Sequence, residues 1–397
     1  MTATGIIFSN IHDSNLFELT HRRSVASVPF GCRYRLIDFA LSNMVNSNIG
    51  DIKIITHYNY HSLMDHIGTG KDWDLARRSG GVKFLTPFIT AYANNVNELY
   101  TTRLEALKSV NYSISCLTSD YVVLTDCNVI CNINFGDMIN DHISHNADIT
   151  VAIKKMHVTP EMQGSASIIS SDETGRMTDY QAHPSDFDGE ADVNLNIMVI
   201  NRRYLQEIVM DSIAHGYSSF SRDIFQRNLK HRNYRVYRYD GHFEGIDSFL
   251  DYFNTNMRLI KDNELYAELF ETQNRPIYTK VRNSAPTYYG NHSFVRNSLI
   301  ADGCIIEGSV ENSILSHDVK IAEGAVVRNS IIYAGAEIEK NAVIDHAIID
   351  ENVKVGNGAK IGAEQKGSSL SIAVLGRDIT VSDNAVVEAG KIIDENV

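Results

Sequence analysis

Three carboxylates of this chain are placed where they could serve metal-dependent chemistry. Asp126 ends the apolar run YVVLTD (121–126), and Asp223 and Asp247 follow further along the chain. Carboxylate oxygens are the ligands that Mg²⁺ prefers, and the metal neutralises phosphate oxygens during phosphoryl-type transfer. Asp126, Asp223 and Asp247 are therefore candidate metal ligands.

Four arginines form a second group of side chains that could bind a ligand. Arg22, Arg23, Arg33 and Arg35 lie within fourteen residues. Guanidinium groups bind phosphate in a bidentate manner, which favours an anion site for a phosphorylated ligand. The same side chains are equally typical of surface or interface salt bridges. Both interpretations stay open at the level of the sequence.

Composition narrows the classes of partner. The 397 residues carry a formal net charge of −13, which would repel a phosphate backbone, so nucleic acid is not an expected partner. Apolar runs stay shorter than the ~20 residues that span a bilayer, and the opening MTATGIIFSN lacks a signal pattern, so we expect a cytoplasmic protein without membrane contact. Cys127 and Cys131 are four residues apart. Because no second Cys/His pair lies nearby, buried thiols are favoured over a metal site.

The elements that must position these side chains alternate between strand and helix. Continuous apolar runs predict buried strands at 52–58, 121–126, 147–154 and 195–201, and helical spacing predicts a helix over 96–110. This alternation predicts an α/β domain with a mostly parallel sheet and helices on both faces. Ligands of such sheets bind at the carboxyl ends of the strands.

The domain boundaries follow from changes in pattern. We expect the α/β domain to span 1–270, with a helix over 248–260 near its end. Residues 271–293 contain two of the six prolines and no helical period, which is typical of a linker.

A repeat marks the C-terminal region, 294–397. From residue 311, three blocks of seventeen residues align, ENSILSHDVKIAEGAVV, RNSIIYAGAEIEKNAVI and DHAIIDENVKVGNGAKI, and they superpose Ile314, Ile331 and Ile348. An apolar residue about every six positions predicts a parallel β-helix of hexapeptide repeats, in which each coil buries its inward side chains against the next.

Two histidines of this region leave a remote alternative. A hexapeptide acyltransferase would use a β-helix histidine as general base, and His317 or His346 would be that residue. Both are at turn-like positions, where a solvated histidine is the favoured interpretation.

Several motifs resemble one known family in order along the chain. They are VPFGCRYRLIDFALSNMVNSNI (28–49), HIGTGKDWDLARRSGGVKFLTP (66–87), FSRDIF (220–225) and YRYDGHFEGIDSFLDYFNTNM (237–257). These stretches are similar to the glucose-1-phosphate adenylyltransferases, also called ADP-glucose pyrophosphorylases. The resemblance implies a nucleotidyltransferase-like (Rossmann-like) domain, a C-terminal left-handed parallel β-helix and a tetramer. It also implies synthesis of ADP-glucose and pyrophosphate from ATP and glucose 1-phosphate.

The chain departs from the family pattern where the phosphates would bind. The family's glycine-rich loop GGxGTRLxPLT corresponds to SNIHDSNLFELT (9–20), which has side chains at the glycine positions and Asn15 in place of the arginine. Glycine lets backbone N–H groups face phosphate, so this loop cannot form the same cradle. The lysine of the family motif KPAVPF is Val25 in VASVPF.

The metal, sugar and base positions depart as well. Asn128 and Gly245 stand where the resemblance places the two Mg²⁺-binding aspartates, while Asp126 and Asp247 are near but out of register. The sugar-phosphate lysine is His183. The adenine loop YxGTADAVxQN becomes YANNVNELYTT and keeps only its tyrosine, Tyr92. The degenerate positions are thus Asn15, Val25, Asn128, His183 and Gly245.

Concurrent loss of these groups favours a GlgD-type, catalytically silent regulatory subunit, without a metal or cofactor of its own. The resemblance implies that the chain forms a tetrameric hetero-oligomer with a catalytic partner subunit, and that it forms a homo-oligomer when it is alone. It also assigns Arg22, Arg23 and Arg35 to a site for a phosphorylated effector. The alternative is an active adenylyltransferase with a rebuilt site, in which Asp126, Asp223 and Asp247 are the metal ligands.

Overall fold

The computed structural model describes residues 2–397 apart from 87–99, 160–161, 163–165, 183, 185–186 and 363–369. Tyr92 and His183, two positions singled out in the sequence, lie outside the described residues. The described chain forms a sheet domain followed by a β-helix, which is the fold class that the sequence predicts.

A nine-stranded sheet forms the centre of the N-terminal domain within these ranges. The strands of the domain are β1 Ala3–Phe8, β2 Pro29–Phe30, β3 Tyr34–Arg35, β4 Asp51–Ile55, β5 Gly81–Leu85, β6 Tyr121–Asp126, β7 Val129–Cys131, β8 Ile149–Val158, β9 Ser167–Ser171, β10 Met177–Ala182, β11 Gly189–Asn201, β12 Tyr234–Arg238 and β13 Phe243–Gly245. The order is β10-β9-β11-β6-β1-β4-β5, with β8 on β11 and β12 on β8. Strands β6, β1, β4 and β5 are parallel, and β11 runs antiparallel to β6.

Helices cover both faces of this sheet. They are α1 Phe17–Thr20, α2 Leu36–Asn46, α3 His61–Ile67, α4 Arg103–Ser109, α5 Asn111–Ser115, α6 Phe135–Ser144, α7 Arg202–His215, α8 Phe249–Lys261 and α9 Asn263–Phe270. Ile7 of β1 packs with α2 residues such as Phe39, whereas the adjacent Ile6 packs with Leu104 of α4 and Leu205 of α7. Burial on both faces explains why the central strands are continuous apolar runs.

Helix α4 begins later than the hydrophobic pattern predicts. The pattern placed a helix over 96–110, of which residues 96–99 lie outside the described residues; residues 100–102 are not helical, and α4 starts at Arg103 after its cap, Thr102. The Thr102 side chain accepts a hydrogen bond from the N–H of Glu105, and the Glu105 carboxylate accepts from the N–H of Thr102, a reciprocal capping box. This cap makes Arg103 the first helical residue.

The segment between the two domains is short of regular structure. Helix α8 coincides closely with the expected helix 248–260, and α9 follows it to Phe270. Strand pairing resumes at Tyr288–Tyr289, inside the segment 271–293 that the sequence predicts to be a linker.

The β-helix is a prism of three parallel six-stranded sheets in the described residues. The first sheet contains β14 Tyr288–Tyr289, β17 Ile305–Ile306, β20 Lys320–Ile321, β23 Glu337–Ile338, β26 Lys354–Val355 and β29 Thr380–Val381. The second contains β15 Phe294–Arg296, β18 Ser309–Glu311, β21 Val326–Arg328, β24 Val343–Asp345, β27 Lys360–Gly362 and β30 Val386–Val387. The third contains β16 Leu299–Ile300, β19 Ile314–Leu315, β22 Ile331–Ile332, β25 Ala347–Ile349, β28 Ala373–Leu375 and β31 Ile392–Ile393.

The third sheet faces the N-terminal domain. Ile314, Ile331 and Ile348 pair in one column, which confirms the predicted repeat register. Their side chains belong to the same buried cluster as Leu36 and Phe39 of α2. One of the hydrophobic clusters therefore spans both domains.

Candidate functional site

The carboxyl ends of β1 and β6 meet at the edge of a cleft of about 910 Å³, a volume that includes open solvent. Phe8 and Asp126, the last residues of these strands, are direct partners in the sheet. The cleft is lined mainly by neutral polar groups, among them Asn15, Asn194 and Asn196. This is the edge at which a parallel sheet of this kind binds its ligands.

The loop after β1 is folded onto its own side chains. Asn10 Nδ2 donates to Asp13 Oδ2 over 2.6 Å, and Asn10 Oδ1 accepts from the hydroxyls of Ser9 and Thr56, each over 2.7 Å. Burial raises the pKa of Asp13 to about 6, against the lowering effect of its hydrogen bonds. Side chains thus occupy the positions from which backbone N–H groups would face phosphate in a glycine-rich loop.

Val25 lies in a short 3₁₀ turn, Val25–Ser27, and its side chain is 0% exposed. Its N–H donates to Asp13 Oδ1 over 2.7 Å, which ties the turn to the loop after β1. An apolar side chain in the core thus stands at the position of the family's lysine. Asn15, at the position of the family's arginine, is exposed and lines the cleft without a positive charge.

Asp126 is completely buried and is paired with two basic side chains. Arg103 Nε lies 2.8 Å from Asp126 Oδ1, and Arg103 Nη2 contacts Asp126 Oδ2. His12 Nε2 lies 2.9 Å from the same Oδ2. Burial acts to raise the pKa of Asp126, but Arg103 and His12 hold it well below its usual range. Both carboxylate oxygens are therefore committed to protein groups.

Asn128 and Asp247 contact each other beside this pair. Asn128 Nδ2 donates to Asp247 Oδ1 over 3.0 Å and to Ile246 O over 3.1 Å. Two acceptors fix the amide with its nitrogen toward Asp247, so a donor rather than an oxygen ligand faces that carboxylate. A Cβ at Gly245 would lie 3.3 Å from Asp247 Oδ2, so a carboxylate there would stand against a second one.

The remaining acids near the cleft are also engaged. Asp223 Oδ2 accepts the N–H groups of Ser218 and Ser219, and its Oδ1 lies 2.9 Å from Arg222 Nε. Glu244 pairs with Arg258 and with His242. Across the described ranges, no group of three or more His, Cys, Asp or Glu side chains could hold a metal. Asn128 and Gly245 replace the two aspartates of the family pattern, and Asp126, Asp223 and Asp247 are each paired with protein groups, so the residues present do not fit either the family's Mg²⁺ site or a rebuilt one.

The arginine group divides into different environments. Arg23 is 1% exposed, and its Nη2 lies 2.5 Å from Asp350 Oδ1 of the β-helix. Arg22, by contrast, is 56% exposed and lies 3.6 Å from Asp378. Arg35 Nη1 donates to Ser62 Oγ over 2.7 Å. Arg23 is thus an interface salt bridge, one of the two interpretations left open by the sequence.

A cavity at the domain interface lies beside this group. Arg33, Arg35, Lys280 and Arg282 contribute basic groups to its lining, and Glu351 contributes a carboxylate. Arg35 Nη2 lies 3.9 Å from Glu351 Oε1. The predominance of basic groups makes the cavity suited to a small anion.

His317 also lines this cavity, and it is buried beside Asp302, with Nδ1 2.8 Å from Oδ1. The expectation of a solvated histidine is therefore wrong for His317, because the N-terminal domain covers this part of the β-helix. His346 is half-buried and its Nδ1 lies 2.7 Å from Asp345 Oδ1.

Cys127 and Cys131 are both buried free thiols, as the sequence favoured.

Arg103 and His12 are the two site residues that the sequence analysis missed. The signal for Arg103 was local, since the capping box from Thr102 to Glu105 predicts a helix start and places an arginine in its first turn. No short-range pattern marks His12, because its partner Asp126 is distant in sequence.

Two family models match the chain in agreement with this architecture. A nucleotidyl transferase model matches residues 5–260, and a model described as GlmU-like, C-terminal hexapeptide matches residues 284–382. The fold and the cleft thus define a nucleotidyltransferase-type domain that carries a left-handed hexapeptide β-helix.

Whole-length relatives narrow this class. A glucose-1-phosphate adenylyltransferase of Fervidobacterium nodosum is 30% identical over 98% of this chain and 94% of its own length. The glycogen biosynthesis protein GlgD of Bacillus subtilis is 30% identical over 90% of this chain and 91% of its own length. A glucose-1-phosphate adenylyltransferase of Acetivibrio thermocellus is 30% identical over 99% and 92%. The chain belongs to the glucose-1-phosphate adenylyltransferase family.

No helix in the described parts of the chain is long and apolar enough to cross a membrane.

Proposed function

We propose that this chain is a catalytically silent regulatory subunit of ADP-glucose pyrophosphorylase in glycogen biosynthesis. The observation that carries the proposal is the pairing of Asp126 with Arg103 and His12. Nucleotidyl transfer depends on positioning and on neutralising phosphate charge, for which a metal and free cations are needed. In this cleft the acids are already paired with protein groups.

The loop after β1 and the turn at Val25 support the same proposal. A buried carboxyl, Asp13, and a buried apolar side chain, Val25, occupy two positions that the family pattern gives to phosphate-binding groups. Neither can attract a triphosphate, since one carries negative charge when ionised and the other carries none.

The proposal includes a partner. The subunit acts within a hetero-oligomer, a tetramer, with a catalytic relative, and forms a homo-oligomer when it is alone. The name of the Bacillus subtilis relative, a glycogen biosynthesis protein, supports the assignment to glycogen biosynthesis. We further infer a cytoplasmic location, where the nucleotide and sugar phosphate of this pathway are found.

Two assays test the proposal. The purified chain with ATP, glucose 1-phosphate and Mg²⁺ is expected to form no ADP-glucose, and turnover of about 1 per second or more would refute silence and favour the active-enzyme alternative. Coexpression with a catalytic relative is then expected to yield a mixed complex with a changed substrate affinity or effector response. Failure to copurify would remove the regulatory part of the proposal.

The cavity between the domains is the site that we propose for a phosphorylated effector, with Arg35 in its lining and Arg23 holding the domain interface. Arg22, which the resemblance also assigns to an effector site, is exposed beside Asp378 and does not line this cavity. Arg33 is exposed and lines the cavity, so Arg33→Ala tests binding with little risk to folding. The mixed complex is assayed with sugar phosphates and nucleotides as effectors. An unchanged response in Arg33→Ala and Arg35→Ala would rule out this site.

A further inference from the structure

We infer that the guanidinium of Arg103 is a resident cation that takes the place of a divalent metal at the end of β6. The inference deepens the proposed function, because it gives a physical reason why this cleft is silent. It concerns the occupancy of one carboxylate by one side chain, and it is measurable without nucleotide, partner or turnover.

Both carboxylate oxygens of Asp126 are in contact with basic side chains. Arg103 approaches with two nitrogens, Nε at 2.8 Å from Oδ1 and Nη2 on Oδ2, which is the forked geometry of a guanidinium on a carboxylate. His12 Nε2 adds a third contact at 2.9 Å. Mg²⁺ and Mn²⁺ require oxygen ligands at roughly 2.1 Å, so a metal would have to displace the guanidinium from these oxygens.

Asp126 needs a counter-charge because it is 0% exposed. An ionised carboxylate without a partner is strongly destabilising in a protein interior. A divalent cation or a basic side chain can meet that need. The capping box that begins α4 at Arg103 fixes the backbone from which the guanidinium reaches Asp126.

The side chains next to Asp126 also lack the arrangement of a metal site. Asn128 presents its amide nitrogen to Asp247 Oδ1, and His12 Nδ1 lies 3.9 Å from the same oxygen. A donor of Asn128 thus faces the second acid, whereas a metal site would present an acceptor at this position. Within the described residues, Asn128 Oδ1 is buried and has no hydrogen-bond partner, so the side chain of Asn128 engages Asp247 through its nitrogen alone.

An ordinary buried salt bridge and a resident cation differ in one measurable property, which is exchange with metal. If Arg103 holds the place of a cation, its removal opens a site for one. Arg103→Met keeps much of the side-chain volume and removes the charge, and Asn128→Asp adds the oxygen ligand of the family pattern. Arg222→Met is the matched control, because Arg222 also pairs with an aspartate but is 69% exposed.

The experiment measures Mn²⁺ binding to the full-length chain by electron paramagnetic resonance and the melting temperature with and without Mn²⁺. We expect wild type and Arg222→Met to bind no Mn²⁺ and to show no metal-dependent shift. Arg103→Met is expected to melt roughly 10 °C lower. Mn²⁺ at about 100 times its Kd should raise the melting temperature of Arg103→Met/Asn128→Asp by about 5 to 10 °C.

Two results would overturn the inference. One is a folded Arg103→Met/Asn128→Asp variant that binds no Mn²⁺. The other, which needs no variant of Arg103 to fold, is a wild-type chain that binds one Mn²⁺ and loses it in Asp247→Asn. Neither result contradicts the proposed function, because a chain can be catalytically silent for other reasons. Turnover by the wild-type chain would contradict the proposed function, whether or not Mn²⁺ binds.

Discussion

Arg23 Nη2 lies 2.5 Å from Asp350 Oδ1 and joins the N-terminal domain to the β-helix through an ion pair that solvent does not reach. Burial opposes the charge of Arg23, but Asp350 and Glu351 raise its pKa well above the usual range. The guanidinium also lies 5.6 Å from the ring centroid of Tyr333. An arginine in a cluster that resembles an effector site thus serves the contact between domains.

Removal of Arg23 is expected to destabilise the whole chain. Arg23→Ala leaves Asp350 buried without its partner, which costs about 3 to 5 kcal/mol. Arg22→Ala is the neighbouring control and should change the unfolding free energy by less than about 1 kcal/mol, because Arg22 is exposed. Urea unfolding followed by circular dichroism measures both. Equal losses in the two variants would contradict the assignment of Arg23 to the interface.

The hydroxyls of Tyr252 and Tyr333 give a second test of the interface. Tyr333 OH donates to Tyr252 OH over 2.7 Å, and Tyr252 OH donates to Pro29 O over 2.5 Å. Tyr333→Phe keeps the bond to Pro29 and should lower the unfolding free energy by about 1 kcal/mol. Tyr252→Phe leaves both the Tyr333 hydroxyl and the Pro29 carbonyl without this partner, so its loss should be larger, about 2 to 3 kcal/mol. The reverse order in urea titrations would argue against this chain of donors.

Asp13 predicts a dependence of stability on pH. Its pKa in the folded chain is about 6, above the 3.8 expected of the unfolded chain, so its protonated form favours folding. Its stabilisation is therefore complete below pH 3.8 and is lost as the pH rises through about 6. Relative to Asp13→Ala, wild type should lose about 3 kcal/mol of unfolding free energy across this range. Unfolding titrations of both chains at several pH values measure the difference, and a constant gap would contradict the prediction.

Asp126 predicts the opposite trend at acid pH. Arg103 and His12 keep its folded pKa below that of the unfolded chain, so the stabilisation is complete above pH ~4 and is lost as the pH falls further. Asp126→Asn cannot titrate at this position. Its melting temperature is lower than that of wild type at neutral pH, but it should fall less steeply below pH ~4. Parallel acid profiles of the two chains would show that Asp126 does not carry this dependence.

The repetitive and local features of the fold were predictable from the sequence. The seventeen-residue repeat fixed the column of Ile314, Ile331 and Ile348, because each coil meets the same physical demand as the one before it. Strand β6 begins and ends at the same residues as the predicted strand 121–126. The predicted helix 96–110 was wrong at residues 100–102, because the capping box begins α4 at Arg103; residues 96–99 lie outside the described residues.

The features that could not be predicted from the sequence depend on contacts between residues that are far apart in the chain. Arg23 and Asp350 are 327 positions apart, so an effector ligand and an interface bridge were indistinguishable in the sequence. His317 was expected in solvent because the side of the β-helix that meets the other domain is unknown until the chain is folded. The losses at Asn128 and Gly245 were visible as residue types, but the arrival of Arg103 at Asp126 required the tertiary structure.

The hydrophobic cluster that spans both domains has a consequence for synthesis of the chain. Leu36 and Phe39 emerge early from the ribosome, yet Ile314, Ile331 and Ile348, which pack in the same cluster, are translated only near the end. During synthesis, the N-terminal domain therefore exposes part of its apolar surface until the β-helix is made. Nascent chains in such a state are prone to associate. Premature termination before residue 314 would leave that surface permanently open.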